Sequence, residues 1–345
     1  MNQLTRILAV LIAALCGACS TPLSRTDPQP QAPASAHTSA SQPFGADPGS
    51  TTVGRLSNAD IDELSGLAAS TRHNGVFYAI NDSGNAAEIF AIGLSGQTYG
   101  RWRLPVVNVD WEAISAFRFR GRHWLMIADV GDNLRRRTSY ALHLIEEPEA
   151  LDQLNTLPVH THHLTFEAGA QNVESVAVSV RDRQVYFVAK AAKRPTLYSM
   201  ALDQAFEARG IAQRRGRMAS LRKAPAGNFL EMLLAARILL TPTSLDISAN
   251  DELAVVGNYR NLYLYQRADG ATWAEAFTGT RPQLIASHRL RQSESVAFTA
   301  DGQSIVFSSE GRHAPVMLVP GSSVNTATAP EADSVPPADV TGANL

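Results

Sequence analysis

An all-β protein is predicted from three features of the 345-residue sequence. Short apolar runs rich in β-branched and aromatic residues, each bounded by turn residues, fill the middle of the chain, and this pattern favours strand over helix. Five segments share one opening: Ser65-Gly66-Leu67-Ala68, Glu112-Ala113-Ile114-Ser115, Glu174-Ser175-Val176-Ala177, Thr243-Ser244-Leu245-Asp246 and Glu294-Ser295-Val296-Ala297. These heads recur roughly every 50 to 70 residues, which accommodates four short strands per unit. Together the three features predict a five-bladed β-propeller. A six-bladed ring, with an insertion near 224–240 adding a sheet, is the nearest alternative. A sandwich plus a second domain leaves five similar heads unexplained.

Taken in order, residues 1–18 read as an export signal: Arg6, then the apolar run Ile7 to Ala14, then small residues before Cys19. Gly17-Ala18-Cys19 resembles a bacterial lipobox, so Cys19 is the expected lipidation site, although Cys16 stands where an aliphatic residue is usual. Residues 19–50 are rich in Pro, Ser, Ala and Thr and are expected to form an extended tether; residues 321–345 have the same character. The expected location is the bacterial envelope, as an outer-membrane lipoprotein facing the periplasm or the surface.

Residues 51–320 form the predicted propeller domain, about 270 residues, enough for one large β domain. Each head opens a first strand. Second strands follow at Val76 to Ile80, Trp124 to Ala128, Val185 to Ala189, Leu253 to Gly257 and Ile305 to Ser308. Third runs include Glu88 to Leu94, Leu197 to Leu202 and Leu262 to Gln266; fourth, more polar runs include Tyr99 to Leu104, His160 to Phe166 and Leu284 to Leu290. Only three runs follow the last head, so Thr52 to Leu56 is expected to supply the missing outer strand and close the ring. Asn228 and Glu231 are spaced for a capping box on a short inserted helix.

Composition excludes several functions. A net charge of −2 argues against a nucleic-acid binder. The only two cysteines are Cys16 and Cys19, so the folded part has neither a disulfide nor a thiolate metal site. No nucleophile elbow, phosphate loop or dinucleotide fingerprint occurs. His160, His162 and His163 lack metalloprotease spacing and are assigned to a solvated face.

In an up-and-down unit, the start of the first strand and the end of the second lie at one end. All heads therefore surround one axial opening, beside the second-to-third-strand loops. Glu112, Glu174 and Glu294, with Asp82, Asp129 and Asp132 from those loops, supply the hard oxygens that suit Ca²⁺. Lys190, Arg260, Arg312 and Asn133 are the expected ligand contacts, for an anionic small molecule or an envelope protein. Three readings stay open: a binding propeller, a calcium-dependent phosphoesterase acting through metal-bound water, and glutamates that merely bond backbone amides.

The phrases Leu64-Ser65-Gly66-Leu67, Asp110-Trp111-Glu112-Ala113-Ile114, Val173-Glu174-Ser175-Val176-Ala177 and Ser293-Glu294-Ser295-Val296-Ala297 resemble the SdiA-regulated, YjiK-like propeller family. That resemblance implies a five-bladed envelope propeller with a calcium site. Asn81-Asp82-Ser83-Gly84, Asp110-Trp111-Glu112 and Gly131-Asp132-Asn133 also resemble bacterial propeller lipoproteins loosely grouped with phytase-like propellers.

Overall fold

The computed structural model describes residues 49–151, 156–191, 194–219, 221, 241–321 and 324. The expected signal, tether, Cys19, the insertion helix near Asn228 and most of the C-terminal tail lie outside them.

Twenty strands are found among the described residues. The first quartet is β2 (Leu64–Ala69), β3 (Val76–Asn81), β4 (Glu88–Gly93) and β5 (Thr98–Arg103), an antiparallel meander in chain order. The next is β6 (Trp111–Phe119), β7 (Arg122–Asp129), β8 (Tyr140–Glu146) and β9 (His160–Phe166). Then come β10 (Val173–Ser179), β11 (Gln184–Ala189), β12 (Thr196–Ala201) and β13 (Arg209–Arg217), and β14 (Pro242–Ile247), β15 (Leu253–Asn258), β16 (Asn261–Gln266) and β17 (Gln283–Ser287). The final strands β18 (Ser295–Phe298), β19 (Ile305–Ser308) and β20 (Pro315–Val319) are completed by β1 (Thr51–Arg55), which pairs antiparallel to β20. The N-terminal strand thus takes the outer place left vacant by the last unit.

Period-two alternation explains how the units associate. Along β3, Val76, Tyr78 and Ile80 enter a core shared with the second quartet, while Phe77 and Ala79 enter one shared with the last unit. Every quartet divides its side chains between two such cores in this way. Because both faces are covered, β3, β4 and β10 are buried along their whole length. The first strands β2, β6, β10, β14 and β18 pack on one another in cyclic order, the last against the first. This is an all-β, propeller-type architecture, with first strands innermost.

Two features depart from separate, repeating units. The nine-residue β13 pairs parallel with β9 through Arg209 to Ala212, then antiparallel with β12 through Gln213 to Arg217. It therefore fuses two quartets into one eight-stranded sheet. Pairing also turns β9 inward at alternate residues, so His162 is buried rather than solvated, and its Nδ1 lies 2.8 Å from the Glu207 carbonyl oxygen. The second feature is helix α1 (Trp273–Gly279) between β16 and β17. Its capping box is Thr272 with Glu275: the Thr272 hydroxyl accepts from the Glu275 amide, and the Glu275 carboxylate accepts from the Thr272 amide.

Candidate functional site

One backbone device, repeated around the ring, builds the site. The ladders of β2, β6, β10 and β14 each slip by one residue near their start: between Leu64 and Gly66, Trp111 and Ala113, Val173 and Ser175, and Pro242 and Ser244. The extra residue is the head itself, Ser65, Glu112, Glu174 or Thr243. A bulge re-aims its side chain out of the alternation that would otherwise bury it between sheets. Glu294 immediately precedes β18 and reaches the same opening without a bulge.

A second ring lies one step beyond the ladders. Asp82 donates its amide to the Glu63 carbonyl, Gly131 to Asp110, Lys190 to Asn172 and Glu310 to Gln292. In each case the acceptor is two residues before the head, so these four positions are equivalent. Tyr259 follows the end of β15 as Lys190 follows the end of β11. The second ring is therefore Asp82, Gly131, Lys190, Tyr259 and Glu310. Gly131 has no side chain for a reason: a Cβ there would collide with Glu112 Oε1 and the Asp110 carboxyl group.

Asp82, Asp110 and Glu112 consequently converge, each offering an oxygen within 4.8 Å of the others. Asn108 holds their loops in place. Its amide donates to the carbonyls of Asn81 (3.1 Å) and Asp82 (2.9 Å), and its Oδ1 accepts from the Trp111 amide (3.2 Å). Trp111, fully buried in the core below, anchors the two carboxylates that flank it in sequence.

The electrostatics are those of crowded, desolvated carboxylates. Burial, then the nearby charges of Glu174, Asp82, Asp110 and Glu294, hold Glu112 well above the usual range. Burial, Glu294 and Asp110 push Asp82 up to about 8. Burial also raises Asp110, despite hydrogen bonds from Ser83 and Asp82 and the nearby charge of Arg137. Burial and Glu294, to which it is hydrogen bonded, push Glu310 up to about 10. Glu174 rises to about 7 through burial, although its ion pair with Lys190 opposes the shift. Burial works against the Lys190 ammonium, but Glu174, Glu294 and Glu112 outweigh it and raise that group. Tyr259 donates its hydroxyl to Glu294 Oε1 at 2.6 Å.

Of the residues singled out in the sequence, Glu112, Glu174, Glu294 and Asp82 share this opening and Lys190 lies among them. Asp129 and Asp132 instead pin loops. Asp129 accepts from the amides of Val109 (3.1 Å) and Asp110 (3.3 Å) and pairs with Arg137 at 2.7 Å. Burial alone would raise Asp129, but His143 and Arg137 hold it below the usual range. Asp132 accepts from the amides of Arg136 and Arg137, both at 2.8 Å, and from the Tyr140 hydroxyl at 3.0 Å. Asn133 Oδ1 accepts from Asn172, whose amide also reaches Glu174 Oε1. Arg312 is exposed and faces Asp62 at 3.6 Å, and Arg260 makes no ion pair among the described residues. Sequence reasoning missed Asp110, Glu310, Tyr259 and Asn108 as site residues. Aligning the units on the residue two before each head would have exposed Asp110.

The loops flanking Asp110 carry an apolar rim: Val107 is 74% exposed, Val109 52% and Leu134 50%. Arg135 and Arg136 beside Leu134 are exposed as well.

No family model and no curated protein matches the chain. Among solved structures, it is similar to the PQQ-bound aldose sugar dehydrogenase of Streptomyces coelicolor at 9% identity, TM-score 0.43, over 79% of this chain and 99% of that one. It is similar to hydrazine synthase of Kuenenia stuttgartiensis at 10% identity, TM-score 0.40, over 76% and 96%. A chain of a nidogen/laminin complex shows 13% identity, TM-score 0.37, over 72% and 73%.

Proposed function

We propose that this is a five-bladed, envelope-anchored propeller whose axial mouth binds one divalent cation, calcium, and presents it to a ligand or partner at the rim. The observation that carries the cation is Glu112. Its side chain is more than nine-tenths buried and offers an oxygen within 4.8 Å of oxygens of Asp82 and Asp110. A desolvated carboxylate crowded by other carboxylates is costly unless a cation or proton compensates it. The donors are all carboxylate oxygens, the hard set that suits calcium, and flanking carbonyls and water can complete its coordination.

The blade count rests on the cyclic packing of first strands and on the place taken by β1. Binding is preferred to phosphoester hydrolysis because Lys190 is committed to Glu174 and Arg312 points to Asp62, leaving no gathered cationic cradle for a phosphate among the described residues. Isothermal titration of the purified chain with calcium tests the cation. We expect binding to the wild type and its loss in Glu112→Gln. Heat of equal size in both would contradict the assignment.

Anchoring is proposed at Cys19. The wild type should fractionate with membranes and Cys19→Ala should appear in the soluble periplasmic fraction, since acyl chains supply the membrane affinity. Unchanged membrane partition of the variant would contradict the anchor.

A further inference from the structure

The carboxylate ring is divided into two unlike halves. On one side Glu63, Asp82, Asp110, Glu112 and Glu310 make no ion pair with Lys or Arg among the described residues. On the other, Glu174 and Glu294 are engaged from within the chain. Glu174 Oε1 takes the Lys190 ammonium and the Asn172 amide, and Glu294 Oε1 takes the Tyr259 hydroxyl. Lys190 Nζ lies 5.8 Å from the Tyr259 ring centroid, so an aromatic face bounds the ammonium beside the carboxylates. Yet this half is not saturated. Glu174 is only 3% exposed, and its Oε2 has no hydrogen-bond partner among the described residues. A carboxylate oxygen buried in this way without a donor points to a cation position larger in demand than one ammonium fills.

We infer that Lys190 is a built-in occupant of a second cation position, formed by Glu174, Glu294 and the Tyr259 face, and that it limits the ring to a single divalent ion. This inference rests on the cation proposed above at Asp82, Asp110 and Glu112. Two divalent ions in one small ring repel each other strongly, whereas a divalent ion beside a single ammonium charge repels less. The ammonium is held in register because the Lys190 amide closes the ladder on Asn172, the residue that also donates to Glu174. Its flexible stem needs no backbone change to leave the position, so substitution exposes the site without remodelling it.

Equilibrium dialysis of the full chain against radiolabelled calcium, with melting followed in parallel, tests this. The wild type and Lys190→Arg should each hold one ion. Lys190→Met should hold two, melt lower than the wild type in chelator, and regain most of that loss in millimolar calcium. The second ion should disappear again in Lys190→Met/Glu174→Gln. One ion in both wild type and Lys190→Met would overturn the role of Lys190 while leaving the first cation intact. No ion in the wild type but one in Lys190→Met would overturn the first cation and the single-ion limit that rests on it, and would support only the occupancy of the Glu174 position by Lys190. No ion in either would remove both. A Lys190→Met chain that stays unfolded in calcium counts against the inference, because calcium is predicted to replace the ammonium.

Discussion

Asp251→Ala should lower the melting temperature of this protein more than any change at the carboxylate ring. Asp251 is buried and collects donors from three directions. Its oxygens accept from the Ser179 hydroxyl (2.8 and 3.0 Å), the Arg181 amide (3.0 Å) and the Trp273 indole (2.7 Å). Arg267, itself buried, lies 3.4 Å from Asp251 and 2.7 Å from Asp182. The cluster bolts the turn after β10 to the β14–β15 turn and to α1, so it ties one quartet to the next. Alanine leaves a buried guanidinium short of charge and several donors without acceptors. Breaking a buried charge pair costs about 3–5 kcal/mol, roughly 10 °C in a domain of this size. Asp203, whose pairs with Arg120 and Arg183 are largely exposed, provides the control; Asp203→Ala should melt close to the wild type. Equal losses in the two variants would contradict the account of Asp251.

The second large effect is a reversed pH dependence in the absence of divalent cations. Asp82 at about 8, Glu174 at about 7, Glu310 at about 10 and the strongly raised Glu112 all titrate above their unfolded values. Between the ordinary carboxylate range and those values, the folded chain keeps protons that the unfolded chain has released. Stability from these groups is therefore complete at low pH and falls as pH rises. Asp129 and Asp132 act in the opposite sense, because their folded values are depressed and their contribution is lost as pH falls through them. The chelated protein should accordingly melt higher at about pH 5 than at about pH 8, with a decline again in stronger acid. Calcium should remove most of the loss at the alkaline side, since it compensates the ionised ring and binds only the folded chain. A chelated protein that melts higher at the alkaline value would show that the ring is not short of positive charge.

Much of this arrangement is legible in the sequence, and the limits have physical causes. Strands announce themselves through short β-branched runs, and the heads recur because each first strand must begin in the same environment. The missing fourth strand of the last unit correctly points to the N-terminal segment, since an unpaired edge invites a partner. What the sequence hides is the backbone between repeats. The slip at Ser65, Glu112, Glu174 and Thr243 depends on ladder register, which no residue type marks. Asp129 looks like a loop acid, yet it ends β7 opposite Trp111 and is spent on Arg137 and the Asp110 loop. Asp110 precedes its strand and looks incidental, but Gly131 leaves it the space to enter the site. The parallel junction of β13 with β9 is invisible for a related reason. Its polar, arginine-rich sequence gives no alternation that distinguishes one partner edge from another.

The most direct test of the central claim is a crystal structure grown with calcium, examined by an anomalous difference map. Calcium in the ring should give a peak bounded by Asp82, Asp110 and Glu112, with Lys190 still on Glu174. A map without a peak there, or with Glu112 hydrogen bonded only to protein groups or water, would contradict it.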